Sequence, residues 1–288
     1  MKTFMFYSYK GGAGRTVASG NVAAALAKLG KRVLIIDMDF EAPGLQDVFR
    51  VEKTEKFNRR QGIQDYLRGN LSLDQLKEDV IIDLASEKEL RRSYSLPGNA
   101  CLLYLMATPR ATVVFSDEAD LHPKMTDLIE FLGDKNRLDY IILDSASGIR
   151  ESYILSVQAC DQMMIFFRWS RQHVEGTLRL LRLMLKMEEM GQGIWKPFKL
   201  VASAVPKEEE MEKLLDEDLI RALKGAKNES IKKFKEELKD RKLKDRGEIF
   251  VEVPEIIELK WQESVIVFDH ENTVYEQMAK KMMTLDSI

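Results

Sequence analysis

Hydrophobic positions along the chain come in two spacings. Short unbroken apolar runs recur between residues 3 and 253: "TFMFYSY", "RVLIIDM", "CLLYLMA", "YIILDS", "MMIFF", "KLVASAV" and "IFVEV". Strands built from such runs need cover on both faces, as in a parallel sheet. Between them lie stretches of helical period, "TVASGNVAAALAKLG", "KMTDLIEFLGDK" and "HVEGTLRLLRLMLKMEEMG". This alternation predicts an α/β fold: a doubly wound, mainly parallel sheet with helices on both faces and right-handed crossovers.

The rhythm breaks once. Residues 206–247 are highly charged, first acidic ("KEEEMEKLLDEDL"), then mostly basic ("RALKGAKNESIKKFKEELKDRKLKDRG"). Apolar residues still recur at helical spacing, at Met211, Leu214, Leu215, Leu219 and Leu223, then at Ile231, Phe234 and Leu238. A helical insertion or lid is expected. It reads either as a solvated helical pair or as a docking surface for a partner or, through the basic part 221–246, for nucleic acid phosphates. With no internal repeat and no flexible linker, residues 1–288 read as a single domain.

Composition narrows the classes. A chain of 45% hydrophobic and 32% charged residues can bury a core and remain soluble, and a net charge of −3 exerts no general pull toward nucleic acid or anionic membrane. Cys101 and Cys160 form no motif, which fits a reducing cytoplasm. His122, His173 and His270 are scattered, so no zinc site is expected. No stretch has the length and apolarity of a bilayer span. The N-terminus runs straight into a glycine-rich loop, so no removable signal is expected. In the last helix Lys280 and Lys281 stand beside Met278, Met282 and Met283. That face is too weakly basic for membrane targeting and reads as core packing.

The chemistry concentrates in "KGGAGRT", residues 10–16, between a strand and a helix. Gly11, Gly12 and Gly14 let the main chain approach a bulky anion, and the helix start adds N–H groups and the positive end of its dipole. Thr16 is placed to ligate magnesium. The general P-loop pattern nevertheless fails twice, at Tyr9 for its first glycine and at Arg15 for its lysine. A second pattern, lysine–glycine–glycine–x–glycine–lysine–threonine, fits at every position but Arg15. Asp37, Asp39 and Asp144 fall at or just past the carboxyl ends of predicted strands, where open α/β sheets bind ligands. The competing reading is aspartates that merely cap turns, and it weighs most for Asp37.

The loop resembles the deviant phosphate loop of the ParA/MinD-type ATPases. "LGKRVLIIDMD" and "LDYIILDSASG" resemble that family's switch I and switch II strands, and "VPEIIELKWQESVIVFDHENTVYEQMAKKM" resembles its C-terminal end. The resemblance covers nearly the whole chain apart from the charged insertion. It implies ATP and Mg²⁺ as cofactors. It assigns Lys10 as the signature lysine that reaches a partner subunit's phosphates in an ATP-sandwich homodimer. Gly11, Gly12, Ala13, Gly14, Arg15, Thr16 and Val17 would form the phosphate site, with Gly148 sensing the γ-phosphate and Pro254 and Glu255 lining the adenine side. Thr16, Asp39 and Asp144 would hold the metal, and Asp39 would orient the attacking water. Lys10, Arg15 and Asp39 are the expected catalytic set.

The chain departs from the family in several places. Arg15 keeps the positive charge and can grip phosphate with two N–H groups, but it is longer and planar. Binding should survive while hydrolysis slows, since a displacement of ~1 Å can cost on the order of a hundredfold in rate. Ser203 stands nearest to a position where the family often has a base-contacting asparagine. Arg168, Trp169 and Arg171 cluster beyond the "MMIFF" strand, either as surface arginines with a packed tryptophan or as a loop contacting an anion or partner. Glu41 is an extra carboxylate beside the site, and Pro43–Gly44 a turn that could move with nucleotide state.

These features predict a cytoplasmic nucleotide switch serving a partner protein or cargo adaptor. Two alternatives stay open: a non-hydrolysing nucleotide-binding scaffold, and a small-molecule kinase or ligase-type enzyme on the same fold. A tyrosine-kinase relative is disfavoured because the C-terminus "MTLDSI" lacks the tyrosine-rich tail of that branch.

Overall fold

β1 (Lys2–Tyr7) lies inside one continuous sheet of eight strands, flanked by parallel neighbours on both sides. A computed structural model describes residues 1–87, 90, 93–107, 121–190, 196–239 and 249–285. After β1 come α1 (Arg15–Lys28), β2 (Arg32–Met38), α2 (Leu45–Phe49), a 3₁₀ turn (Val51–Lys53), α3 (Glu55–Asn58), α4 (Ile63–Leu67) and α5 (Leu73–Asp79). Then follow β3 (Ile82–Asp83), β4 (Cys101–Leu105), α6 (Leu121–Asn136), β5 (Tyr140–Ser145), α7 (Glu151–Ala159), β6 (Gln162–Phe167) and α8 (Arg171–Glu189). The chain closes with β7 (Phe198–Val205), α9 (Glu208–Leu214), α10 (Glu217–Glu237), β8 (Ile249–Pro254), α11 (Ile257–Trp261) and α12 (Val274–Thr284).

The strand order is β3-β4-β2-β5-β1-β6-β7-β8. All neighbours run parallel except the edge pair β3–β4. The doubly wound expectation therefore holds, with one antiparallel edge that the sequence pattern did not show. Every residue of β4, β5 and β6 is buried, which is why these strands read as unbroken apolar runs: helices cover both faces and no position faces water.

α1 carries no apolar stripe because it is buried on nearly every side, from Val17 through Ala27. Its small residues let neighbours approach closely. A Cβ at Gly20 would stand 2.9 Å from Val48 of α2. Asn21, fully buried in α1, donates to the carbonyls of Val17 (2.9 Å) and Ser264 (2.8 Å) and accepts from the Ile266 amide (2.8 Å). This amide side chain ties the segment after α11 to the helix that follows the glycine loop. α12 packs on α1 through buried Tyr275, Met278, Ala279 and Met282, the core role expected for that helix.

The charged insertion forms α9 and α10, and residues 240–248, the end of its basic part, lie outside the described residues. Its apolar positions divide. Phe234 and Leu238 are fully buried, with the Phe234 ring 5.1 Å from Phe167 at the end of β6. Leu214, Leu219 and Leu223 are exposed. α10 is thus docked by its C-terminal half and solvated over its first half. Arg221, Lys224, Lys227, Lys232 and Lys233 each pair with a carboxylate: Asp218, Glu208, Glu252, Glu236, and Glu175 with Glu229.

Candidate functional site

β1 ends at Tyr7, and the loop to α1 passes over the carboxyl ends of the central strands. Gly12 and Gly14 take φ of +75° and +69°, a left-handed backbone that side chains rarely adopt. Gly14 is the N-cap of α1, and no side chain caps it. The first-turn N–H groups of α1 are therefore left for an external acceptor, with the dipole favouring an anion.

β2 and β5 are neighbours in register, with Asp37 opposite Asp144. Two carboxylates thus meet side by side at the strand ends, both fully buried. Asp37 accepts from the amides of Asp39 (3.0 Å) and Leu45 (3.2 Å). Burial and the neighbouring Asp144 charge push its carboxyl well above the usual carboxylate range, opposed by those two amides. Its role is the turn-holding one. Asp39 accepts from the Ala42 amide (3.1 Å) with Oδ1 and turns Oδ2 toward Arg15.

Arg15 is the centre of the site. Its Nε donates to Asp144 Oδ1 at 2.9 Å, and one terminal nitrogen lies 3.1 Å from Thr16 Oγ1 and 3.5 Å from Asp39 Oδ2. The side chain is only 8% exposed. Burial works against its charge, but Asp144 and Asp39 more than offset that and hold it protonated. Burial raises the Asp144 carboxyl and the Arg15 charge opposes the rise. The guanidinium therefore rests on the three residues expected to hold the metal, where sequence reasoning expected it at the phosphates.

The donors present fit a magnesium ion chemically. Thr16 Oγ1 and the Asp39 and Asp144 carboxylates are hard oxygen ligands, and Asp144 Oδ2 is buried with no hydrogen-bond partner among the described residues. Among those residues no three His, Cys, Asp or Glu side chains are grouped to hold a metal by themselves. An ion here would be held by Thr16 together with Asp39 and Asp144.

A cavity of about 340 Å³ opens beside the loop. Gly12, Ala13, Gly14 and Val17 line it on one side, and Pro254, Glu255, Ile256 and Tyr275 on the other. Gly12, Ala13, Gly14 and Val17 of the expected phosphate set thereby meet Pro254 and Glu255 in one cleft, while Arg15 and Thr16 do not line it. Glu255 pairs with Lys260 at 2.5 Å at its rim. Ser203 also lines the cavity, but its hydroxyl is engaged, lying 2.6 Å from the Ala13 carbonyl and 3.1 Å from that of Phe167.

Lys10 and Gly11 stand outside this cleft. Lys10 is exposed, with Nζ 5.9 Å from the Tyr9 ring. Tyr9, in place of the usual first glycine, packs where a Cβ on Gly176 would stand 2.6 Å from its ring. Gly148 follows β5 with φ +78°. Trp169 packs edge-on to Phe167 under Lys227, the packed-tryptophan reading, while Arg168 reaches the cavity wall.

A second cavity of about 360 Å³ is lined by Asp39, Phe40, Glu41, Ala146, Arg150, Glu151 and Ser152. Glu41 and Arg150 form an ion pair across it. Sequence reasoning singled out Glu41 but missed Arg150. Its only signal was a charge two residues after Gly148.

Comparisons with known proteins place the chain in a family. The AAA_31 family model, an AAA domain, matches residues 1–193. The septum site-determining protein MinD of Synechocystis sp. is 30% identical over 185 residues, covering 64% of this chain and 59% of that protein. The matched stretch spans about half to three fifths of the length of the curated relatives. Among solved structures, MinD in the MinC:MinD cell division complex of Aquifex aeolicus superposes with a TM-score of 0.62 at 23% identity, covering 99% of this chain and 96% of that one. MinD complexed with Mg-ADP from Pyrococcus horikoshii gives 0.60 at 15% identity, covering 99% and 97%. At such identities the likeness speaks for the fold. The chain belongs to the AAA_31 family and is a member of the ParA/MinD-type P-loop ATPases, with arginine where their loop carries its second lysine.

Proposed function

We propose that this chain is a magnesium-dependent, ATP-binding and slowly hydrolysing nucleotide switch that closes two copies around ATP and presents one state to a partner protein or cargo adaptor. The observation that carries this reading is the meeting of the uncapped α1 N-terminus, Thr16, Asp39 and Asp144 beside a cleft ending at Pro254 and Glu255. The Mg-ADP complex and the MinC complex of the MinD neighbours support the cofactor and partner expectations by analogy.

The residues divide the work. Loop amides from Gly11 to Thr16 bind and orient the phosphates, and Thr16, Asp39 and Asp144 would hold magnesium. A bound ion would neutralise charge developing on the phosphoryl oxygens. Asp39, the most accessible of the three carboxylates at the strand ends, would orient water. Lys10, exposed at the loop front, is free to reach a second copy. Glu41 and Arg150 join the loops after β2 and β5. Loss of that phosphate would remove the preference for the closed state.

Slow turnover follows from Arg15, which leans on Asp39 as well as Asp144. The same contact favours the second reading, a scaffold that binds ATP without cleaving it. A single-turnover assay separates them: ATP intact after hours on folded protein selects the scaffold.

The test of the switch is size-exclusion chromatography with a slowly hydrolysed ATP analogue and magnesium, on wild type and Lys10→Ala. Wild type should shift to a dimer and the variant should not. A dimer indifferent to both nucleotide and mutation sinks the sandwich.

A further inference from the structure

Arg15 and magnesium ask for the same atoms. The guanidinium reaches Asp144 Oδ1 at 2.9 Å, Thr16 Oγ1 at 3.1 Å and Asp39 Oδ2 at 3.5 Å, the three side chains assigned to the ion. A divalent cation among these oxygens would stand against a buried positive group, and the two repel at close range in a site with little water to screen them.

We propose that Arg15 is an internal cation that occupies the metal position, so that guanidinium and divalent ion are alternative occupants of one cluster. The ion enters only when the guanidinium leaves. This inference rests on the metal reading of Thr16, Asp39 and Asp144.

Three features favour exchange over permanent occupation. One guanidinium faces the carboxylates of both Asp39 and Asp144, so the cluster holds more negative charge than Arg15 supplies and a divalent ion matches it better. Asp144 Oδ2 keeps unused acceptor capacity. The glycine loop beside Arg15 offers an anion site, and phosphates there would give the displaced guanidinium a new partner. Arginine suits this double role as lysine does not. Its flat fork spans Asp144 and Thr16 at once, while a lysine ammonium is a compact point charge. Metal loading is thereby tied to nucleotide loading, because without phosphates the guanidinium has nowhere better to go.

The test uses Mn²⁺ as the probe and the full chain without nucleotide, reading free aquo-Mn²⁺ by electron paramagnetic resonance. Wild type is expected to leave Mn²⁺ free at millimolar concentration. Arg15→Gln, which removes the charge, should bind it at least tenfold more tightly, and adding Asp144→Asn should abolish that gain. Equal Mn²⁺ affinity in wild type and Arg15→Gln overturns the exchange, as does a gain that survives Asp144→Asn. Should Arg15→Gln fail to fold, Arg15→Met removes the same charge while keeping an unbranched side chain, and absence of the tenfold gain there overturns the proposal. Calorimetry of wild type with Mg·ATP tells the two failures apart. Binding of Mg·ATP with unchanged Mn²⁺ affinities removes the exchange alone; no binding of Mg·ATP removes the nucleotide reading and the exchange with it.

Discussion

The hydroxyl of Ser203, near the end of β7, donates to the carbonyl of Ala13 in the glycine loop at 2.6 Å, 190 residues away in sequence. The loop is thus pinned from below by the sheet it crosses. Ser203→Ala would leave the buried Ala13 carbonyl without its partner and is expected to cost about 1–3 kcal/mol of stability, read by urea unfolding. Because Gly12 and Gly14 flank the pinned residue, ATP affinity should also fall, roughly tenfold for each 1.4 kcal/mol of positioning lost. Unchanged ATP binding in calorimetry would show that the loop holds its shape without the tether.

Glu41 and Arg150 are both more than half exposed, so their ion pair should contribute less than about 1 kcal/mol to stability. Its effect should appear in coupling. Arg150→Glu is expected to leave the melting temperature nearly unchanged while weakening the protection that Mg·ATP gives the loops after β2 and β5 against limited proteolysis. The swap Glu41→Arg with Arg150→Glu should restore it. A swap no better than the single change would mean that the pair does not couple the loops.

Phe234 anchors the charged insertion. Its ring is fully buried against Phe167, and only Leu238 shares that depth among the described insertion residues. Phe234→Ala should cost about 3–5 kcal/mol if the site cannot collapse, measured by chemical denaturation. Leu219→Ala and Leu223→Ala, at exposed positions of the same helix, should stay within about 0.5 kcal/mol. Equal costs at all three would contradict the half-docked helix.

Glu276 gives the α1–α12 contact a pH dependence. Its carboxylate pairs with Lys28 at 2.8 Å and accepts from the Thr273 amide at 3.1 Å. Burial alone would raise its pKa, but Lys28 and the helix-start amides lower it below the ordinary 4.5. The unfolded chain therefore takes up this proton more readily than the folded one, and the contribution is full above about 4.5 and lost as the pH falls through the lower folded value. Glu276→Gln should lose stability at pH 7 and lose less on acidification below pH 4.5 than wild type. Parallel stability–pH curves for the two proteins would refute the assignment.

Much of the site was legible because its parts are local. A glycine loop between an apolar run and an alanine-rich helix sets its own backbone, and "RVLIIDM" and "YIILDS" matched β2 and β5 residue for residue. The two-residue β3 was not legible, since it exists only through pairing with β4. Nor were the short helices α2 to α5, which have too few turns to show a period. Arg150 was missed because its partner Glu41 lies 109 positions away, joined to it only by the adjacency of β2 and β5.

The order of residues alone fixed which groups this protein has to work with: an anion-binding turn, three strand-end aspartates, and arginine where a lysine is usual. Local backbone preference and the doubled hydrophobicity of covered strands are enough for that. Where the guanidinium points was decided only when β2 and β5 lined up and brought Asp39 and Asp144 within reach of residue 15. A long side chain has several open rotamers, and the choice among them belongs to the charges that the fold gathers around it.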